Sequence, residues 1–134
     1  MEKLRIVQID LARQKETLDT VFGFFDFAKK YGYNNLSFLC MDIKDYLPKV
    51  RPDMVIALHA CDIATDYAIY NAYRWQADYI FSVPCCQHEL NSKIKSDNFG
   101  LLCSYGLIKE RFSALATDAL RGKYLELCGY NVDV

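Results

Sequence analysis

Both histidines of this chain, and three of its six cysteines, fall in two short segments, His59-Ala60-Cys61-Asp62 and Pro84-Cys85-Cys86-Gln87-His88. Imidazole titrates near neutral pH and serves as a general base, a carboxylate faces a cation, and a thiolate is a nucleophile or a metal ligand. His59, Asp62 and His88 are therefore the candidate catalytic groups, and Cys61, Cys85 and Cys86 the candidate wall of a substrate pocket. Two more carboxylates, Asp10 and Asp42, stand at the ends of short apolar runs. There a carboxylate presents two oxygens to ribose hydroxyls or to an adenine edge.

Each of these groups also has a plain structural reading. Asp62 or Thr65 can cap a helix, Cys61 can be a small core residue, His59 a polar plug, and Asp10 or Asp42 a cap or a solvated loop carboxylate. Periodicity does not decide between the readings. The two histidines with Cys61, Cys85 and Cys86 are enough for a tetrahedral zinc site, but neither CxxC nor HxxxH spacing is present and adjacent cysteines fit one ion poorly. No metal ligands are assigned. A nucleophilic cysteine paired with His88 is a further alternative.

These residues need a scaffold that brings strand ends together. Leu4 to Ile9 is a short, β-branched run that stops at Asp10, and Leu18, Val21, Phe22, Phe25 and Ala28 then recur at helical spacing before a stop at Gly32. Leu36 to Cys40 is a second strand. Asp53 to Leu58 is the most hydrophobic run, and its continuity predicts a strand of a parallel sheet buried on both faces. Thr65-Asp66 opens a helix with a stripe of Ala68, Ile69, Ala72 and Tyr73, and Tyr79 to Val83 is the next strand. Helices are expected from His88 to Lys95 and from Arg111 to Leu127, the latter with Phe112, Leu115, Ala116, Ala119, Leu120 and Leu127 on its apolar side. Gly129 is placed as a cap, and Tyr130 to Val134 would begin a last strand. This alternation predicts an α/β fold, a doubly wound and mostly parallel sheet whose ligands lie beyond the carboxyl ends of its strands.

Composition agrees with one globular domain over residues 1–134. The chain is 52% hydrophobic and 25% charged, with 16 basic against 17 acidic residues and a net charge of −1. That balance excludes a polybasic nucleic-acid arm, an acidic tail and a low-complexity chain. No apolar run is long enough to span a membrane, and Met1-Glu2-Lys3 leads into the first strand without a signal-peptide core, so a cytoplasmic location is expected. The six cysteines lie within a chain of eight Phe and ten Tyr, which favours free thiols over a disulfide scaffold.

The strings Ala57-Leu58-His59-Ala60-Cys61-Asp62-Ile63-Ala64-Thr65-Asp66 and Val83-Pro84-Cys85-Cys86-Gln87-His88-Glu89-Leu90 resemble the signature loops of a group of S-adenosylmethionine-dependent methyltransferases with the Rossmann-like fold. Thr117-Asp118-Ala119-Leu120-Arg121 and Gly129-Tyr130 resemble a later helix and turn of that group. The resemblance implies S-adenosylmethionine as cofactor, with Asp10 on the ribose, Asp42 and Ile43 on the adenine, and the loop from His59 to Asp62 at the methyl-transfer site. His59 or His88 would be the base, while Cys61, Cys85 and Cys86 would face the methyl acceptor. Some relatives with such loops act on RNA, so RNA is a candidate acceptor by analogy.

One departure matters. Members of the group begin with a strand and a glycine-rich loop for the methionine portion of the cofactor, and no GxG occurs anywhere in these 134 residues. The expectation is thus an incomplete sheet, lacking its first strand and glycine loop, from a truncated domain that alone binds the cofactor weakly or not at all and is inactive. Its unpaired strand edges would be closed by direct pairing or by a second copy in a homodimer. A noncatalytic or zinc-binding scaffold of the same ancestry is the alternative function.

Overall fold

The computed structural model describes residues 6–10, 23, 26–58, 60, 62–84 and 88–134, with the backbone alone at 6–10 and 40. The chain forms two compact units, Met1–Lys49 and Val50–Val134. In the first, strand β1 (Ile6–Asp10) pairs in parallel with β2 (Leu36–Cys40), in a register running from Ile6 opposite Leu36 to Asp10 opposite Cys40. Helical residues 26–30 precede β2. They end as expected at Gly32, whose φ of +77° is the left-handed conformation glycine adopts without steric cost. The Gly32 and Tyr33 amides close the helix by donating to the Lys29 and Ala28 carbonyls at 3.2 and 2.9 Å. Gly23 is also helical, and the other residues of the predicted first helix before 26 lie outside the described residues.

The second unit opens with a right-sized βαβ motif: β3 (Met54–Leu58), helix α1 (Ile63–Arg74) and β4 (Tyr79–Val83), the strands parallel and paired from Met54 with Tyr79 to Leu58 with Val83. Thr65, Ala68, Asn71 and Ala72 form the buried side of α1, at the spacing a helix needs to lay one stripe on a sheet. Small residues there let the helix approach closely. Tyr73, predicted within that stripe, is exposed. The helix ends in a second paired-amide cap, with the Gln76 and Ala77 amides on the Tyr73 and Ala72 carbonyls at 2.9 and 3.1 Å. Here the left-handed position is held by a non-glycine residue, Gln76 at φ +58°.

Burial on both faces of β3 is not observed. Val55 and Ala57, with Ile80 and Ser82 of β4, are half-buried, whereas Met54, Ile56, Leu58, Tyr79, Phe81 and Val83 on the alternate positions are exposed. Strand side chains alternate between faces, so the apolar run supplies a second apolar face that no described residue covers. The strands form two two-stranded parallel sheets, β1-β2 and β3-β4. The fold is thus mixed α/β with parallel pairing, as predicted, and among the described residues that pairing extends no further than these two strand pairs.

The helix expected from His88 to Lys95 is the shorter α2 (Glu89–Lys93), followed by a 3-10 turn at Asp97–Phe99 and α3 (Gly100–Cys103). The last helix, α4 (Gly106–Leu127), starts earlier than predicted and packs against α2 and α3, with the Phe99 and Phe112 rings 5.1 Å apart. Its covered side also differs from the prediction. Leu115 and Leu127 are 71% and 74% exposed and Leu120 is exposed too, while Ser113 and Gly122 are buried. Small residues allow close helix contact, and the leucine periodicity marks a side that nothing among the described residues covers.

Gly129, at φ +94°, caps α4 as predicted, its amide on the Glu126 carbonyl at 2.9 Å and that of Tyr130 on Leu125 at 3.1 Å. Tyr130 to Val134 is not a strand. The cap and a 2.8 Å bond from the Tyr130 hydroxyl to the Ala77 carbonyl hold this segment instead. Cys103 and Cys128 are free thiols. Among the described residues no helix is long and apolar enough to cross a membrane.

Candidate functional site

The register of β3 with β4 sets Leu58 beside Val83, so the loops leaving the two carboxyl ends start side by side. Asp62 joins them. It occupies the position before α1, yet its carboxylate does not cap that helix. Asp62 Oδ1 accepts the backbone N–H of His88 at 2.6 Å and that of Glu89 at 3.4 Å, across to the second loop and the first residue of α2. A carboxylate receiving two amides from a neighbouring loop fixes the spacing of both. Thr65, the other predicted cap, bonds through its hydroxyl to the Ala60 carbonyl at the same turn.

Asp62 itself has φ 46° and ψ −121°. A side-chain-bearing residue is strained in that conformation and persists there only where its surroundings hold it. The Thr65 amide donates to the Asp62 carbonyl at 3.1 Å, and so does Arg121 of α4, whose Nη2 lies 3.0 Å from it while its Nε donates to Asp66 at 2.7 Å and its Nη1 to Asp118 at 3.1 Å. Its side chain is 10% exposed. Burial, the largest single influence on its pKa, works against the charge, and the bonds and charges of Asp66 and Asp118 outweigh it, so the guanidinium lies above its ordinary value. It is cationic at every working pH.

Of the predicted groups here, Asp62 and His88 are brought together directly, the His88 side chain being exposed at the loop end. His59, Cys61, Cys85 and Cys86 lie outside the described residues. So does the zinc reading, which depends on them. Sequence reasoning singled out the string containing Arg121 and gave that residue no role. Its one signal is an arginine three residues after Asp118 on a helix.

In the first unit the register places Asp10 opposite Cys40, and Asp42 follows two residues beyond the end of β2. Two carboxylate residues therefore stand at the carboxyl ends of adjacent parallel strands. Asp42 caps the 3-10 turn Ile43–Asp45, its Oδ1 accepting the Lys44 amide at 3.1 Å and its Oδ2 lying 3.4 Å from the Lys44 ammonium. The cap predicted as one alternative is thus present. A carboxylate has about four acceptor positions, so a capping Asp can still accept from an amino group or a hydroxyl. The acidic residues at these two strand ends are acceptors, of the kind that ribose hydroxyls and an amino group donate to, and Ile43 follows Asp42 as an apolar neighbour.

A sequence model described as a methyltransferase domain matches residues 3–93. The chain belongs to this methyltransferase domain family. The match takes in every residue singled out above for catalysis, cofactor or substrate, and ends at the last residue of α2. Neither the curated proteins nor the solved structures include a match to the chain. In the second unit an open pocket of about 420 Å³, lined by Arg51, Tyr73, Gln76, Cys128, Gly129 and Tyr130, lies at the amino ends of β3 and β4. It is remote from both loops.

Proposed function

We propose that this domain takes part in S-adenosylmethionine-dependent methyl transfer, holding the adenosine half of the cofactor through Asp10 at the ribose and through Asp42 and Ile43 at the adenine. The observation that carries the reading is the pairing of β1 with β2, in which two acidic residues stand at neighbouring carboxyl ends of parallel strands, within a chain of this family. When bound, the cofactor supplies a methyl group on a cationic sulfonium. The residues of the second unit do the remainder. His59 or His88 takes the proton from the acceptor, Asp62 holds the His88 backbone, and Cys61, Cys85 and Cys86 border the acceptor's entrance. RNA is the acceptor class we carry forward. A net charge of −1 argues against tight RNA binding by this segment alone.

The test is an amide NMR titration with S-adenosylmethionine and, separately, with adenosine. Both are expected to move the Asp42 and Ile43 resonances. Their affinities should lie within about tenfold of each other, because no GxG is present to grip the methionine half. Asp10→Asn should weaken both by about tenfold, as expected for loss of a charge-assisted bond. No movement at residues 42 and 43, or equal movement in the Asp10 variant, would refute the assignment.

A further inference from the structure

We propose that Arg121 is the positioning residue of the strand-end loops: its guanidinium holds Asp62 in the left-handed conformation from which the Asp62 carboxylate reaches the His88 and Glu89 amides. The inference builds on the proposed function only in calling those loops the site; its geometry stands apart. Three donors of one planar fork are spent on three acceptors, the Asp62 carbonyl at 3.0 Å, Asp66 at 2.7 Å and Asp118 at 3.1 Å. The fork is 10% exposed, so water does not substitute readily for it.

Each partner sits on a different element. Asp118 is on α4 with Arg121, Asp66 is in the first turn of α1, and the Asp62 carbonyl belongs to the turn after β3. One side chain thus ties the long helix to the start of α1 and to the turn itself. From that turn Asp62 Oδ1 continues to the His88 amide at 2.6 Å. The connection runs from α4 through Arg121 and Asp62 to the loop that ends in His88. Lysine cannot reproduce it, because a compact ammonium lacks the planar, bidentate fork. Removing the cation would also leave the Asp66 and Asp118 carboxylates without their shared counter-charge.

The test reads the Asp62 bridge without cofactor or acceptor, so it can fail while the methyl-transfer reading stands, and the reverse. In the wild-type chain the His88 amide proton should resonate downfield and exchange slowly, as a short bond to a carboxylate requires. Arg121→Lys should shift the His88 and Glu89 amides upfield and speed their exchange about tenfold, with the amides of β3, β4 and the Gly129 turn unchanged. A general loss of packing would instead move all of them. Asp66→Ala, at an exposed residue, keeps Arg121 but removes one of its anchors. It should produce the same change at smaller amplitude, and it decides the matter if Arg121→Lys does not fold. Unaltered His88 and Glu89 amides in a folded Arg121→Lys chain, or in Asp66→Ala where the lysine variant is unfolded, would overturn the proposal.

Discussion

Asp62 combines a strained backbone with a bridging carboxylate, and a short substitution series separates the two. At φ 46° and ψ −121° a residue with a Cβ carries about 1–3 kcal/mol of strain. Its carboxylate contributes the bonds to the His88 and Glu89 amides at 2.6 and 3.4 Å. Hydrogen bonds to a charged group contribute about 1.5–3 kcal/mol. The His88 and Glu89 partners are exposed, which reduces this to about 1 kcal/mol. Asp62→Ala loses the bridge and keeps the strain, so it should be about 1 kcal/mol less stable than wild type. Asp62→Gly also loses the bridge but sheds about 2 kcal/mol of strain, against roughly 0.5–1 kcal/mol of added chain entropy. It should lie near wild type and about 1 kcal/mol above the alanine variant. Asp62→Asn, keeping an acceptor oxygen without the charge, should fall between wild type and alanine. Urea denaturation followed through Trp75 fluorescence and far-UV circular dichroism measures this. With a slope of about 2 kcal/mol per molar urea, the Gly and Ala midpoints should differ by about 0.5 M. An alanine variant as stable as the glycine variant would refute the strain, and an asparagine variant no better than alanine would refute the bridge.

Gln76 is the other non-glycine residue with positive φ among the described residues, +58°, and its carbonyl accepts Arg51 Nε at 2.8 Å. Gln76→Gly keeps that carbonyl and should raise the urea-derived stability by about 0.5–1 kcal/mol; a loss of stability would show that the Gln76 side chain contributes more than its backbone strain costs. Tyr130→Phe deletes the hydroxyl bond to the Ala77 carbonyl at 2.8 Å and should destabilise by about 1 kcal/mol. Burial first, then the neighbouring Cys128 and Asp78, raise the Tyr130 pKa above its ordinary value of 10.0. The folded state therefore keeps the proton longer than the unfolded state, and the contribution present below pH 10 is lost as pH rises through the folded pKa. The gap between wild type and Tyr130→Phe should narrow above pH 10 in denaturation curves, and a gap that widens there would contradict the sign.

Much of the local architecture was legible because its causes are local. Gly32 and Gly129 announce helix caps by type and position, and both hold left-handed turns closed by paired amides. The four described strands stand where short apolar runs end at or just before Asp10, Asp42, His59 and Pro84, and their parallel pairing is that of strands joined by helical crossovers. Leucine spacing misled for α4, because periodicity identifies an apolar side without saying whether anything covers it. Leu115, Leu120 and Leu127 are exposed, while Ser113, Gly122 and Arg121 face the packing. The continuous run of β3 failed in the same way. It promised two covered faces, and one is open among the described residues.

The candidate site divides along the same line. Residue type and strand order pick out the two loops, Asp10 and Asp42 as candidates, and the strings over 57–66 and 83–90 carry the methyltransferase resemblance that the family match bears out. Titratable groups in such clusters at strand ends are rare, and a parallel sheet gathers its strand ends at one edge. What Asp62 does was settled only by the tertiary structure. Its partners, the His88 amide and the Arg121 guanidinium, are 26 and 59 residues away, and no spacing rule links residues whose meeting depends on how three elements pack. Hydrogen-bond geometry between distant segments is a property of the folded chain, and it made a presumed cap or ligand carboxylate into the strut between the two loops.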